Sequence, residues 1–218
     1  MKKSMWVWYI QSHEAKILKD YCKRYGISQI FVSHQSFLRA HKTLKKLEKD
    51  GIKVIPMIGD TGQKLSAKDI QLLLKQFFEL GEKVVHFDLE LGNGKIDNLN
   101  NQLKNALYYA QYDLGMKAEV DVEWWILNKE YKQIVKDADE WYLMNYCKTI
   151  IGTLFKALRW RCKPFHMGVE TNPEFEHVRL IDYNKKLPNL HKWSKILFRN
   201  YKGISLHHWA TMRDDKIE

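Results

Sequence analysis

The sequence predicts an α/β protein folded as a single compact (β/α)8 TIM barrel, on the strength of three observations. Short β-rich runs alternate with amphipathic helical stretches from one end of the chain to the other. Eight such runs can be counted, enough to close a ring. No glycine-rich phosphate loop follows the first of them, because Ile10-Gln11-Ser12-His13-Glu14 has neither dinucleotide-fold nor P-loop spacing. That weakens the main competitor, an open doubly wound sheet. The 218 residues sit near the lower limit for such a barrel, so residues 1–218 read as one domain.

In chain order, the first strand is expected over Met5–Ile10 and a helix over His13–Tyr25, closed by Gly26. Strands Gln29–Ser33 and Lys53–Ile58 flank a helix Ser36–Lys49, which ends before Gly51. Ser66 with Asp69 three residues on reads as a capping box opening a helix Ser66–Leu80. Strand Val84–Glu90 is followed by a Gly92-Asn93-Gly94 loop and a helix Asp97–Leu114. In that helix Leu99, Leu103, Ala106, Leu107, Ala110 and Leu114 share one face and read as core. The remaining strands are Ala118–Glu123, Trp141–Tyr146, Pro164–Glu170 and Gly203–His208, with helices Asn128–Lys136, Thr149–Arg161 and Leu190–Asn200 between them.

Composition narrows the function classes. Hydrophobic residues make up 45% of the chain, which is ample for a core and argues against disorder. No apolar run reaches the roughly 20 residues of a membrane span. The apolar run after Lys2 and Lys3 is too short for a secretory signal and reads as strand, so a cytoplasmic location is expected. Cys22, Cys147 and Cys162 have neither disulfide-framework nor zinc spacing, and no cofactor or metal motif is evident. The net charge of +10 comes mainly from lysines scattered on helix faces, with only seven arginines and no nucleic-acid-binding signature. Nucleic acid is therefore disfavoured as a partner, attraction to an acidic glycan stays open, and the oligomeric state is left undetermined.

Chemistry is expected at the C-terminal ends of the strands, where residues alternate between the barrel interior and the helix layer. On the fourth strand Val85, Phe87 and Leu89 suit the helix side, which turns His86, Asp88 and Glu90 inward. The same alternation groups Glu119, Asp121 and Glu123 on the fifth strand, His166, Gly168 and Glu170 on the seventh, and Ser205, His207 and Trp209 on the eighth. Burying such groups is costly unless they are paired or wet. Two carboxylates at one mouth are what glycoside hydrolysis needs: an acid for the leaving oxygen, and a second group for the oxocarbenium-like centre. Trp125, Tyr146 and Trp209 offer aromatic faces for sugar rings, whereas Trp6 and Trp8 are expected to pack in the core or outer layer.

These residues carry a resemblance to known families. Asp88-Leu89-Glu90 resembles the end of the DxxDxDxE signature of the chitinase family, glycoside hydrolase family eighteen. Met144-Asn145-Tyr146 is similar to that family's Met-x-Tyr-Asp motif, with Cys147 in place of the final acid. Trp209 lies where a strand-eight tryptophan floors the sugar site. The resemblance implies Glu90 as general acid/base and Asp88 as the group orienting a substrate acetamido. His86 and Val84 stand where the signature has aspartates. A second resemblance is to retaining glycosidases with carboxylates on strands four and seven, implying roles for Glu90 and Glu170; a looser one is to bacterial glycosidase-like barrels. Asp121, Glu123, Asn145, Tyr146, His207 and Trp209 are then the expected substrate-binding set, with a carbohydrate as partner. Two alternatives stay open: a metal-dependent hydrolase or isomerase using His207 with the mouth carboxylates, and a non-catalytic carbohydrate-binding barrel.

Overall fold

The computed structural model describes residues 2–59, 65–90, 95–160, 163–171, 180 and 183–207. Eight parallel strands close into a barrel in sequential order. They are β1 (Lys2–Val7), β2 (Gln29–Ser33), β3 (Lys53–Gly59), β4 (Val84–Asp88), β5 (Lys117–Val122), β6 (Glu140–Leu143), β7 (Phe165–Glu170) and β8 (Tyr201–His207). The helices between them are α1 (Ala15–Tyr25), α2 (His34–Glu48), α3 (Ala67–Glu79), α4 (Ile96–Tyr108), α5 (Lys129–Val135), α6 (Ile150–Ala157) and α7 (Tyr183–Leu197).

Local chemistry sets several boundaries. Ser66 caps α3 by accepting from the Asp69 amide at 3.2 Å, and the Asp69 carboxylate accepts from the Ser66 amide at 2.9 Å. Asn128 caps α5 through Tyr131 N at 2.9 Å, and Thr149 caps α6 through Gly152 N at 3.1 Å. The helix expected to run to Leu114 continues past α4 as a π-helical turn, Tyr109–Asp113.

Of the boundaries that differ from expectation, two have a physical reason in partners or solvent. β1 begins at Lys2 rather than Met5, because β8 supplies parallel partners from Lys2↔Gly203 to Met5↔Leu206. That pairing is non-local and leaves no trace in the run of residues around Lys2. α7 begins at Tyr183, well before Leu190, and carries Pro188 in its interior. Pro188 is exposed, so water can serve the carbonyl that its missing amide leaves unpaired.

Alternation along the strands separates two layers. Val85, Phe87 and Leu89 join Leu74 and Phe77 of α3 and Leu103 and Leu107 of α4 in the main apolar core between strands and helices. Inside the barrel a smaller plug is formed by Trp6, Phe31, Ile55, Met57 and Tyr142. The rest of the interior is polar, and the register stacks it from floor to mouth. Glu119 lies opposite His86 and Glu140, Tyr142 opposite Asp121 and His166, and Glu170 opposite His207.

At the floor, Gln29 donates to the Tyr142 hydroxyl at 2.8 Å and lies 3.4 Å from Glu119. His166 lies 3.2 Å from Glu140 and stacks on Tyr142 with centroids 4.4 Å apart. The His166 hydrogen bond draws the Glu140 carboxyl down to about 2. Burial holds the His166 imidazole below its ordinary range.

One glycine is required by close approach. A Cβ at Gly168 would sit 2.7 Å from the Leu143 carbonyl oxygen and 3.3 Å from the Tyr146 ring. Gly168→Ala should therefore push β7 away from β6 and lower stability by roughly 1–3 kcal/mol, read as a lower urea midpoint.

Candidate functional site

The centre of the barrel is organised by an ion pair. His86 Nε2 lies 2.9 Å from Asp121 Oδ2, and both side chains are excluded from solvent. Trp6 Nε1 donates to the same oxygen at 2.8 Å, and Phe31 stacks on the imidazole with centroids 3.9 Å apart. Burial alone would depress the imidazole, but the Asp121 and Glu119 carboxylates override it and raise His86 to about 9. A buried carboxylate with two good donors is well served, and a buried imidazolium with a carboxylate at each side is tolerable.

One layer nearer the mouth, Asp88 ends β4 and is buried. Burial first, then the charges of Asp121 and Glu90, raise its carboxyl well above the ordinary range, and the protonated form hydrogen bonds to Asp121. Glu90 lies two positions beyond the strand end and is exposed. The expected inward column of His86, Asp88 and Glu90 stops at Asp88, where the last β3 pair is Gly59↔Asp88. The last β5 pair is Phe87↔Val120, so the chain at Glu90 is no longer held in the sheet.

Across the mouth, Glu170 ends β7 and accepts from His207 Nδ1 at 2.8 Å. Tyr146 follows β6, and its ring tilts over His207 at 5.5 Å. Burial and the charges of Asp121, Asp88, Glu170 and Glu90 push its phenol well above the ordinary value, which places the hydroxyl among those carboxylates. That hydroxyl, Asp88 Oδ1 and Asp121 Oδ1 are all buried and have no hydrogen-bond partner among the described residues. Three unmatched polar atoms at one mouth call for water or a polar ligand.

The other expected site residues fall in different places. Glu123, just past β5, is buried, and its charge helps raise Asp88. The Asn145 amide is committed to the first turns of α6, donating to the Thr153 carbonyl at 2.8 Å. Trp125 is exposed and meets Trp124 edge-on with centroids 6.0 Å apart. Trp209 lies outside the described residues.

Trp8 joins the mouth without having been expected there. Its indole is half-buried, with Nε1 3.5 Å from His207 Nε2. The signal available was the alternation of Trp6 and Trp8 on one strand face, opposite Met5 and Val7, which pack in the outer core. Among the described residues, no group of three or more His, Cys, Asp or Glu side chains is spaced to hold a metal ion, so the metal reading gains no geometric support. No helix among the described residues is long and apolar enough to cross a membrane.

The fold is an eight-stranded parallel barrel with carboxylates and aromatic rings at the ends of its strands. The sequence matches no protein-family profile and no curated protein. The structure is similar to a xylanase and α-amylase inhibitor protein from Scadoxus multiflorus, with a TM-score of 0.68 and 10% identity over 98% of this chain and 96% of that one. A xylanase–α-amylase inhibitor protein in complex with trehalose gives a TM-score of 0.67 and 10% identity over 94% and 92% of the two chains. N-acetylneuraminate lyase from Mycoplasma synoviae gives 0.58 and 8% identity over 93% and 68%. At such identities the likeness is one of fold, shared by inhibitors and enzymes alike.

The sign of the pH dependence follows from the central pair. An unfolded histidine titrates near 6.5, whereas folded His86 titrates at about 9. Between these values the folded chain holds a proton that the unfolded chain has lost, so stability falls as pH rises through that window. Asp88, raised from the ordinary carboxylate range, acts in the same direction from lower pH upward. Unfolding free energies from urea titrations should therefore fall from pH 6 to pH 9.5, by up to about 3 kcal/mol from His86. In His86→Gln the fall should be shallower, on a lower baseline.

Proposed function

We propose that the protein is a glycoside hydrolase acting at the C-terminal mouth of the barrel, with Glu90 as the general acid/base. One observation carries this reading: the exposed Glu90 stands two residues beyond the buried Asp88, and polar atoms of Asp88, Asp121 and Tyr146 are buried without partners among the described residues. Glu90 is the carboxyl that solvent and a polymeric substrate can reach. It protonates the leaving glycosidic oxygen and later takes the proton back from the attacking water. Asp88, whose carboxyl is held well above the ordinary range, hydrogen bonds a substrate polar group, the role that the chitinase-family resemblance implies for an acetamido. The Tyr146 hydroxyl is a second donor to that group, and Trp8 offers a ring face beside it. Asp121 and Glu123 supply acceptors for sugar hydroxyls, and His207 holds Glu170 in position.

A second reading, a carbohydrate-binding barrel without turnover, is favoured by two features. Glu170 is already engaged by His207 at 2.8 Å, and Cys147 replaces the acid of the motif after Tyr146.

The two readings separate in one set of assays. Glu90→Gln, tested against a panel of soluble and polymeric glycans, should lose at least about 100-fold in kcat while its circular dichroism is unchanged. Hydrolysis that survives the substitution rules out Glu90 as the acid. Glycan affinity in the unaltered protein without turnover at any pH supports the binding reading instead. Tyr146→Phe should weaken glycan binding about fivefold to tenfold by calorimetry, the loss of one hydrogen bond, without a change in fold.

A further inference from the structure

α6 and α7 pack side by side on the outside of the barrel, and their outer faces are apolar where a solvated helix is normally polar. On α6 and the turn after it, Ile151, Phe155 and Leu158 recur at i, i+4 and i+7 and are 80%, 64% and 43% exposed. On α7, Trp193 and Ile196 are 49% and 63% exposed, with Leu197 beside them. Other exposed apolar or aromatic side chains on the described helices include Ile17 on α1, Leu72 and Phe78 on α3, and the stacked pair Tyr108 and Tyr112 at the end of α4.

Among the described residues, the charges on these two elements have one sign. Arg159, Lys185, Lys192, Lys195 and Arg199 are all exposed on the same two elements and their ends. Among the described residues from Lys148 to His207 the one carboxylate is Glu170, and it is buried inside the barrel. Glu174, Glu176 and Asp182 lie outside the described residues.

We propose that the α6–α7 face docks on an anionic phospholipid surface. A second copy of the chain would bring lysines against lysines across the contact, so self-association through this face is opposed by charge. A protein partner would need a concavity to receive side chains standing on two convex helix crests. A lipid interface needs none: Trp193, Ile196, Phe155 and Ile151 enter the boundary between headgroups and acyl chains, and the flanking lysines and arginines meet lipid phosphates. The face lies along the side of the barrel, so docking leaves the mouth open to solvent. The inference is independent of the chemistry at the mouth.

The test is cosedimentation of the whole protein with phosphatidylcholine vesicles made with and without phosphatidylglycerol. Binding is expected only when phosphatidylglycerol is present, and raised salt should weaken it. Lys192→Gln with Lys195→Gln should bind roughly thirtyfold more weakly, and Trp193→Ser with Ile196→Ser should also lose binding, both with unchanged thermal unfolding. Failure to bind anionic vesicles at low salt overturns the proposal, as does equal binding to neutral vesicles. Binding that both variants retain overturns it too. So does a dimer seen in sedimentation equilibrium that Trp193→Ser with Ile196→Ser dissociates, because the face would then belong to a second copy.

Discussion

The buried pair of His86 and Asp121 is the constraint around which the interior is arranged. Two charges in a dry barrel are tolerable only when every strong group has a counterpart. Trp6 supplies a second donor to Asp121, and Phe31 covers the imidazole face. Burial first, and then the charge of the neighbouring Asp121, raise the Asp88 carboxyl well above its ordinary range. The state of the mouth therefore depends on the layer below it, where His86, Trp6 and Phe31 hold Asp121 in place.

The polar interior has a cost in generic stability and a gain in definition. Barrels of this type usually fill their centre with branched aliphatic side chains. Here the apolar plug around Trp6 and Tyr142 is small, and hydrogen-bonded groups run above and below it. Each bonded pair fixes a strand register, because a slip of one residue would turn His86, Asp121 and His166 into the helix layer. Glu119 illustrates the point, lying 3.7 Å from Lys53 on one side and 3.9 Å from His86 on the other.

Much of this was legible in the sequence, and the reasons are local. Alternation on the fourth, fifth, seventh and eighth strands sorts apolar residues from ionisable ones, and the structure puts Val85 and Phe87 in the outer core and His86 and Asp88 inside. Capping residues such as Ser66 announce themselves through short-range hydrogen bonds. What stayed hidden depends on partners far along the chain. The start of β1 is dictated by β8. The position of Glu90 outside the sheet depends on where β3 and β5 stop pairing with β4. The engagement of Glu170 by His207 joins two strands whose alignment includes a register shift between Phe165 and His166. Periodicity describes one element at a time, and these features belong to pairs.

The seam between β1 and β8 has a kinetic consequence. Ser4 and Ser205 hydrogen bond at 2.5 Å across 201 positions of sequence. A ring of strands paired in sequential order can assemble as a curved open sheet, and only the final pairing seals it. Until then the groups around Asp121 remain wet, since Trp6 and His207 come from the two strands that meet last. The penalty of drying the central charges thus falls late in folding, after most apolar surface is already covered. Contacts formed that late hold the folded state mainly by slowing its opening. The seam therefore works as a latch on the lifetime of the closed ring, while the speed of its assembly is governed by the strands between.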